Sequence, residues 1–288
     1  MTAHVGFVDN SSGYAHEALL AAIQTWAEAE GWTTMRSGVS PDSSGAPGSA
    51  TYHKEWIGIA PGLSGGEQII VGFRTYQDAN NDYYNLAGMT ATNYVAGNLW
   101  TAQPGISITS MCAHNQRIDY WCPINGQRIT MGLKVGTPVY ESGYWGKAFP
   151  TAPPSQFPYP VVSAGTLTGM PAVRYSDTSR VFPYQGNVTN MQFRTVGGAW
   201  MYPFVGPFNT DTEQYRDTNG KYHLTPLELM DSSLWPNGNV WAWLDGVYHI
   251  TGFNNVVENT VVIDGVTYLV VQNIYRVGFN NYVAIALV

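Results

Sequence analysis

Charged side chains are scarce in this chain of 288 residues. Asp, Glu, Lys and Arg together make up 11% of it, whereas about a quarter is ordinary for a globular domain. The charges that are present are mainly acidic, and the formal net charge is −7. A surface that binds nucleic acid needs an excess of basic residues, so this composition argues against nucleic acid as a partner.

Cysteine and long apolar runs are also lacking. The two cysteines, Cys112 and Cys122, are too few for a disulfide framework, and we expect two free, half-buried thiols. No apolar stretch approaches the roughly 20 residues that a transmembrane helix needs. Residues 1–13 have neither the basic nor the apolar region of a secretion signal. We therefore expect no insertion into a membrane.

Recognisable catalytic motifs are missing as well. Residues 62–66 match the G-x-S-x-G pattern of a hydrolase nucleophile elbow, but the elbow needs a helix after it, and here a strand is predicted. The six histidines have no metal-ligand spacing. Paired carboxylates for glycoside hydrolysis meet only in space, and the sequence shows no set that satisfies the geometric tests. We predict that the protein is not an enzyme and uses no cofactor or metal.

Two acidic loops begin like a calcium-binding loop. Asp78 and Asp82 flank Ala-Asn-Asn, but the glycine and glutamate that an EF-hand needs are absent. A β-turn with Asx hydrogen bonds is the favoured interpretation, and a cation site is the alternative. The same two interpretations apply to the loop that contains Asp211 and Asp217.

The clearest pattern in the chain runs through residues 117–135. Apolar and polar side chains alternate on both sides of Asn125-Gly126, and a period of two is typical of strands. Asn-Gly suits a type I′ turn, in which both central residues have φ > 0. We predict a hairpin with one buried face and with Asn125 and Gly126 in its turn.

Around this hairpin the sequence predicts one helix and many strands. Residues 14–30 have helical spacing of apolar side chains, and Gly31 is placed to end the helix. Residues 1–14 are predicted to be an extended arm that docks on a neighbouring subunit. Two Asp-Gly pairs, at 245–246 and 264–265, predict hairpin turns. Thr225 and Pro226 predict a short helix over residues 224–230.

These elements predict a mainly β fold of antiparallel, sandwich-like sheets with one N-terminal α-helix packed on a sheet. Residues 1–36 form an N-terminal arm, helix and first strand in this interpretation. Residues 37–288 form a single large β domain, with a loop-rich insertion at about 147–235.

Several segments together resemble a known family. They are Ala29-Glu30-Gly31-Trp32-Thr33; residues 70–76 and 82–85; Tyr120-Trp121 with residues 125–129; residues 134–146; residues 153–160; and residues 265–276 with 282–285. This series, in this order, resembles structural proteins of tailed bacteriophages, which are usually described as virion or tail proteins.

The resemblance implies a non-enzymatic component of a phage particle, assembled in the bacterial host cytoplasm and located in the virion. The expected position is the tail, the baseplate or the tail-fibre attachment region, and a head decoration or collar protein is an alternative. The expected partners are copies of the chain itself and other phage structural proteins. Few charges and many Tyr, Asn and Gly residues suit a protein covered by neighbouring subunits.

Aromatic residues make up 14% of the chain and suggest a second function, recognition of host-surface carbohydrate during attachment. The competing interpretation places most of these rings in the core or at subunit contacts. The candidates for a contact or glycan-stacking surface are Tyr140, Tyr144, Trp145, Tyr159 and Trp235.

Overall fold

The computed structural model describes residues 2–287 except 63–67, 138, 154, 158–159, 178, 207–221 and 232–238. Within these residues the chain forms one α-helix, α1 (Ala15–Ala29), and 21 strands in three antiparallel sheets. The predicted fold class, mainly β with one helix, is confirmed.

The front sheet has six strands in the order β12-β6-β5-β4-β3-β2. Its strands are β2 (Thr33–Val39), β3 (Lys54–Ile59), β4 (Ile70–Asp78), β5 (Tyr83–Ala91), β6 (Ser107–Cys112) and β12 (Leu167–Thr168). The middle sheet has seven strands in the order β1-β7-β8-β9-β11-β14-β15. Its strands are β1 (Thr2–Val8), β7 (Ile118–Ile124), β8 (Arg128–Gly136), β9 (Val139–Lys147), β11 (Val161–Ala164), β14 (Met191–Arg194) and β15 (Trp200–Met201).

The rear sheet has eight strands, with the order β13-β16-β17-β18-β21-β20-β19 and β10 beside β18. Its strands are β10 (Phe149–Pro150), β13 (Gly186–Asn187), β16 (Pro203–Gly206), β17 (Thr225–Asp231), β18 (Val240–His249), β19 (Thr260–Ile263), β20 (Val266–Gln272) and β21 (Tyr282–Ala286). Residues 147–235 therefore supply strands to all three sheets, and residues 2–36 supply strands to the front and middle sheets.

The middle sheet is covered on both faces, and β8 shows why. Ile129, Met131 and Leu133 pack with α1 and the front sheet in one apolar cluster. A Cβ on Gly132, which faces the other way, would lie 3.2 Å from a methyl carbon of Val271 in the rear sheet. The alternation along the strand thus fills two different cores, and the prediction that only one face of the hairpin is buried is wrong.

The helix has the amphipathic pattern and the ending that the sequence predicts. Leu19, Ile23 and Ala27 are fully buried against the front and middle sheets. Gly31 has φ of +86°, and the Trp32 N–H donates to the Ala27 carbonyl at 3.0 Å. A left-handed residue just after the helix lets the chain turn directly into β2.

The N-terminal residues form an edge strand and not an arm. All of β1 pairs with β7, from Thr2 opposite Ile124 to Val8 opposite Ile118. The ring of His4 in β1 stacks on Trp26 of α1 at 4.8 Å. The expected extended segment is held within its own chain because its backbone continues the middle sheet.

The segment from Thr225 to Asp231 is a strand, so the short helix predicted there is wrong. Leu227 and Leu229 are buried, whereas Pro226 and Glu228 are exposed, which is the period of two of a half-covered strand. Pairing with β16 and β18 on either side outweighs the local helix-start pattern.

The two Asp-Gly pairs have different outcomes. Asp264-Gly265 is the predicted hairpin turn, because Ile263 pairs with Val266 and the two turn residues have φ of +52° and +81°. Residues 245–246 instead lie inside the continuous strand β18, in a bulge where its register with β17 shifts. The hairpin predicted there is wrong.

Candidate functional site

Three of the predicted surface aromatics lie in the interior. Tyr144 and Trp145 are fully buried and Tyr140 is 5% exposed. The Trp145 indole Nε1–H donates to Thr109 Oγ1 at 3.1 Å, and its ring meets Phe73 edge-on at 4.9 Å. Because β9 is covered by the front sheet on one face and the rear sheet on the other, these rings are closed to a glycan or a partner, and their assignment to a contact surface is wrong.

The other two predicted surface aromatics, Tyr159 and Trp235, lie outside the described residues, as do Asp211 and Asp217. The loop from Asp78 to Asp82 is a turn, in which the Asn80 N–H and the Asn81 amide donate to the Asp78 carboxylate at 3.2 and 2.7 Å. Among the described residues, no three Asp, Glu, His or Cys side chains group in a way that would hold a metal. Cys112 and Cys122 are free thiols as predicted, and both are fully buried, so burial raises the pKa of each.

The turn at Asn125-Gly126 is an Asx turn. The Asn125 Oδ1 accepts the backbone N–H groups of Gln127 at 2.9 Å and Arg128 at 3.0 Å. Neither Asn125 nor Gly126 is among the residues with positive φ. The predicted turn position is correct, but the predicted type I′ conformation is wrong.

This turn is docked on other parts of the chain. The Gly62 N–H donates to the Gly126 carbonyl at 2.8 Å, and the Trp32 indole N–H donates to the Asn125 carbonyl at 2.8 Å. A Cβ on Gly126 would lie 3.2 Å from Cγ of Pro61. Close packing against Pro61, and not φ, is therefore what favours a small residue at this position.

Beside the turn, a buried ion pair joins the middle and rear sheets. Arg128 Nε lies 2.7 Å from Asp245 Oδ2, and the Asn125 side-chain amide donates to the same oxygen at 3.2 Å. The Arg128 side chain is 1% exposed and that of Asp245 is 24% exposed. Gly246 has φ of +68°, and a Cβ there would lie 2.3 Å from Arg128 Nη2. The bulge in β18 thus brings a carboxylate to Arg128 and leaves room for its guanidinium.

A second ion pair is completely enclosed. Arg180 Nη1 lies 2.5 Å from Glu141 Oε1, and both side chains are at most 1% exposed. Thr166 donates its hydroxyl to the other carboxylate oxygen, which also accepts the Cys112 N–H at 3.2 Å. Burial raises the pKa of Glu141, and the neighbouring Arg180 opposes this shift.

A carboxyl group with a raised pKa is a typical feature of active sites, but this one is closed to any substrate. The Glu141 carboxylate on β9 of the middle sheet accepts bonds from Cys112 on β6 of the front sheet, from Thr166 and from Arg180. It therefore holds the segment around Thr166 and Arg180 against both sheets. A single acidic residue inside the apolar run 139–145 is the only sequence signal of this pair, and it does not identify the distant Arg180.

A third charged group covers the outer face of the front sheet. Glu55 is 1% exposed and lies 2.6 Å from Arg36 Nε and 3.9 Å from Arg74 Nη1. Arg74 also pairs with Asp42 at 3.0 Å, and Ser40 donates its hydroxyl to Glu55. Two carboxylates balance two guanidinium groups, so this group holds the loop after β2 in place.

A polar cleft of about 280 Å³ opens at the end of the β7–β8 hairpin away from the docked turn. Its charges are already paired, since Arg117 lies 2.7 Å from Asp119 and Lys134 lies 2.7 Å from Glu258. The His114 ring packs on Tyr175 at 4.1 Å, and burial lowers the pKa of His114. The cleft therefore presents no uncompensated cation or anion to a ligand.

A group of exposed apolar side chains lies instead on two neighbouring loops of the rear sheet. We call residues 252–256, after β18, and 273–281, between β20 and β21, the apolar loop pair. Its exposed members are Phe253 (40%), Val256 (58%), Tyr275 (37%), Val277 (71%) and Phe279 (45%).

Contacts between the two loops hold the apolar loop pair together. The rings of Phe253 and Phe279 meet edge-on at 5.9 Å, and the Gly252 N–H donates to the Phe279 carbonyl at 2.7 Å. Aromatic side chains at the surface of a folded chain are typical of the centre of protein interfaces. The sequence patterns did not predict this pair, although apolar residues at 275, 277 and 279 alternate along the loop.

One strained residue anchors the second of these loops. Ile274 is fully buried and has φ of +59°, a conformation that β-branched residues avoid. Its carbonyl accepts the Tyr140 N–H at 2.9 Å, which ties the loop to β9 of the middle sheet. Strain of this kind costs on the order of 1–3 kcal/mol and persists where the surrounding structure imposes it.

No described helix is long and apolar enough to cross a membrane. No family model matches the chain, and no curated protein gives a match to it.

Proposed function

We propose that this protein is a non-enzymatic structural subunit of a tailed-bacteriophage particle, in its tail, baseplate or tail-fibre attachment region. It acts by contacts with copies of itself and with other structural proteins of the particle. The observation that carries the proposal is the apolar loop pair, which exposes Phe253 and Phe279 side by side at the end of a rigid β scaffold.

The distribution of charge supports an assembly role. The chain has few charged residues, and several of them form ion pairs in which at least one side chain is buried, such as Glu141–Arg180 and Arg128–Asp245. Such pairs hold loops and sheets together, and the low charge of the whole sequence leaves few charged residues for the surface. A rigid, weakly charged surface with exposed aromatics suits repeated contacts between subunits.

A particle-incorporation assay tests this proposal. Val277→Asp places a charge at the most exposed member of the apolar loop pair, and Val196→Asp makes the same change at a valine 51% exposed in the β14–β15 turn. Both variants are expected to fold with unchanged circular dichroism. We expect Val277→Asp to fall at least tenfold in particles purified from infected cells, and Val196→Asp to be incorporated normally.

Mass spectrometry of those particles measures incorporation, and a cryo-EM map of them gives the position of the protein. Density in the head or collar would favour the alternative location. Absence of the wild-type protein from purified particles would overturn the proposal.

A second candidate function, binding of host-surface carbohydrate, is favoured by one exposed aromatic pair. Trp243 and Phe149 are each 38% exposed on adjacent strands of the rear sheet, with ring centroids 6.2 Å apart. Glycan-array binding that is lost in Trp243→Ala and kept in Tyr202→Ala, another exposed aromatic, would support it. No binding by the wild-type protein would exclude it.

A further inference from the structure

The outer edge of β1 is open. Every residue of β1 pairs with β7 on one side, and no described strand pairs with it on the other. Sheet edges of this length are usually protected by a charged residue, a proline or a bulge, because unpaired N–H and C=O groups recruit further strands. The sequence Thr-Ala-His-Val-Gly-Phe-Val has no Lys, Arg, Asp, Glu or Pro, and its register with β7 is continuous.

The other seven-residue edge strand shows the protection that β1 lacks. β2 ends the front sheet, has a register shift between Thr34 and Arg36, and carries the charged Arg36 itself. The difference between the two strands lies in their sequences and not in their lengths. Among the strands of the described residues, β1 is therefore the long edge that is suited to pairing with another strand.

The two faces of β1 differ. On one face His4 stacks on Trp26 of the helix, and Gly6 lies against the Tyr120 ring. On the other face Val5 is 58% exposed and Phe7 is 51% exposed. A strand added to this edge would extend the sheet and place its own side chains beside Val5 and Phe7, which reduces their exposure.

We propose that β1 pairs antiparallel with β1 of a second copy of this chain, about a two-fold axis at Val5. All seven residues are then paired, with Val5 opposite Val5 of the second copy. Phe7 lies opposite Ala3 of the second copy, and His4 lies opposite Gly6, so the two largest side chains of the strand each meet a small one. Two seven-stranded middle sheets thus become one sheet of fourteen strands across an isologous interface.

This inference deepens the proposed assembly role by naming the partner and the surface. It is tested on the purified protein, so its failure is distinguishable from that of the assembly role, which is judged by presence in the particle.

Disulfide cross-linking tests the register. In Val5→Cys the two new thiols lie directly opposite across the axis, where Cβ atoms are about 4.5–5.5 Å apart. In Thr2→Cys each thiol lies opposite Val8, about 20 Å from its equivalent at roughly 3.3 Å per residue. We expect mild oxidation to convert most of Val5→Cys to a covalent dimer and to leave Thr2→Cys monomeric on a non-reducing gel. The native Cys112 and Cys122 are fully buried and do not compete.

Charge repulsion tests the interface itself. Val5→Lys sets two ammonium groups opposite each other at the axis, and sedimentation of this variant should give a monomer where the wild-type protein gives a dimer. Val262→Lys, at an exposed valine of β19, should leave the dimer intact. Equal cross-linking of Val5→Cys and Thr2→Cys, a dimeric Val5→Lys, or a wild-type protein that stays monomeric would each overturn the pairing.

Discussion

Asn125-Gly126 and Asp264-Gly265 both join consecutive strands, yet they take different conformations. Asp264 and Gly265 have positive φ, and a Cβ on Gly265 would meet nothing within 4 Å. Asn125 and Gly126 do not have positive φ, and their carbonyls accept hydrogen bonds from Trp32 and other parts of the chain. The conformational preference of the dipeptide itself therefore determines the backbone of a turn that contacts nothing else. Where the turn packs on other parts of the chain, those contacts determine its backbone conformation.

The largest effect is expected from the carboxylate beside the docked turn. Asp245→Ala leaves the buried Arg128 guanidinium without its carboxylate, and removal of one member of a buried pair costs about 3 kcal/mol or more. Urea denaturation should show this loss in the free energy of unfolding. Arg128→Met combined with Asp245→Ala should recover most of it, because the buried guanidinium is then replaced by an apolar side chain. A loss below about 0.5 kcal/mol in Asp245→Ala, the size of a neutral surface change, would contradict this account.

Acid acts on two buried histidines in different parts of the core. Burial lowers the pKa of His16, at the start of the helix and against Tyr84 of the front sheet, to about 3, and that of His249, in the rear sheet, to about 4. Because both values lie below the unfolded value of about 6.5, the unfolded chain takes up protons that the folded chain does not, and stability falls as the pH drops below 6.5.

The expected loss from His16 alone is roughly 2 kcal/mol between pH 6.5 and pH 5, at about 1.4 kcal/mol per pH unit. Denaturation curves at several pH values measure it. His16→Asn should flatten the pH dependence more than His249→Asn does at pH 4, because the His16 shift is the larger. An equal pH dependence in all three proteins would refute the assignment.

Replacing each of the two turn glycines with valine separates the effect of close packing from the effect of a positive φ. Gly126→Val drives a branched side chain into Pro61 and should cost about 2 kcal/mol, as overpacking does. Gly265→Val has open space but a left-handed backbone, and should cost about 1 kcal/mol. Pro61→Ala should restore part of the stability lost in Gly126→Val and none of that lost in Gly265→Val. If it restores neither, the contact with Pro61 does not determine the docked turn.

The smallest effects come from exchanging the first residues of the turns. Asp264→Asn should change stability by less than about 0.5 kcal/mol, because both residues tolerate a left-handed backbone. Asn125→Asp replaces an amide that donates to Asp245 with a second carboxylate and should cost about 1 kcal/mol. Thermal denaturation of the two variants side by side measures the contrast, and equal melting temperatures would show that the docked turn does not depend on this bond.

The spacing of apolar residues along the sequence was sufficient to predict the central hairpin and the helix. The alternation around Asn125 predicted β7 and β8, helical spacing predicted α1, and Gly31 ended it as expected. The prediction failed at residues 225–231, where a Thr-Pro start pattern is outweighed by two neighbouring strands. A strand is stabilised by its partners, and partners distant in the sequence are invisible to a local pattern.

The surface was predicted less well than the fold. Tyr144 and Trp145 were candidates for a contact or glycan-stacking surface beside the competing interpretation that places such rings in the core, and only the packing of the three sheets shows that they are buried. Phe253 and Phe279 were not singled out, because 26 residues separate two side chains that meet at 5.9 Å.

The sequence by itself determined the low charge of the chain, the period of two in β7 and β8 and the single helix, since these depend on composition or on neighbours along the chain. The tertiary structure alone decided which face of β8 meets which sheet, that Asp245 reaches Arg128, and that β1 ends a sheet with an open edge. Those outcomes depend on contacts between residues far apart in the chain, which a local pattern does not contain and whose formation costs chain entropy.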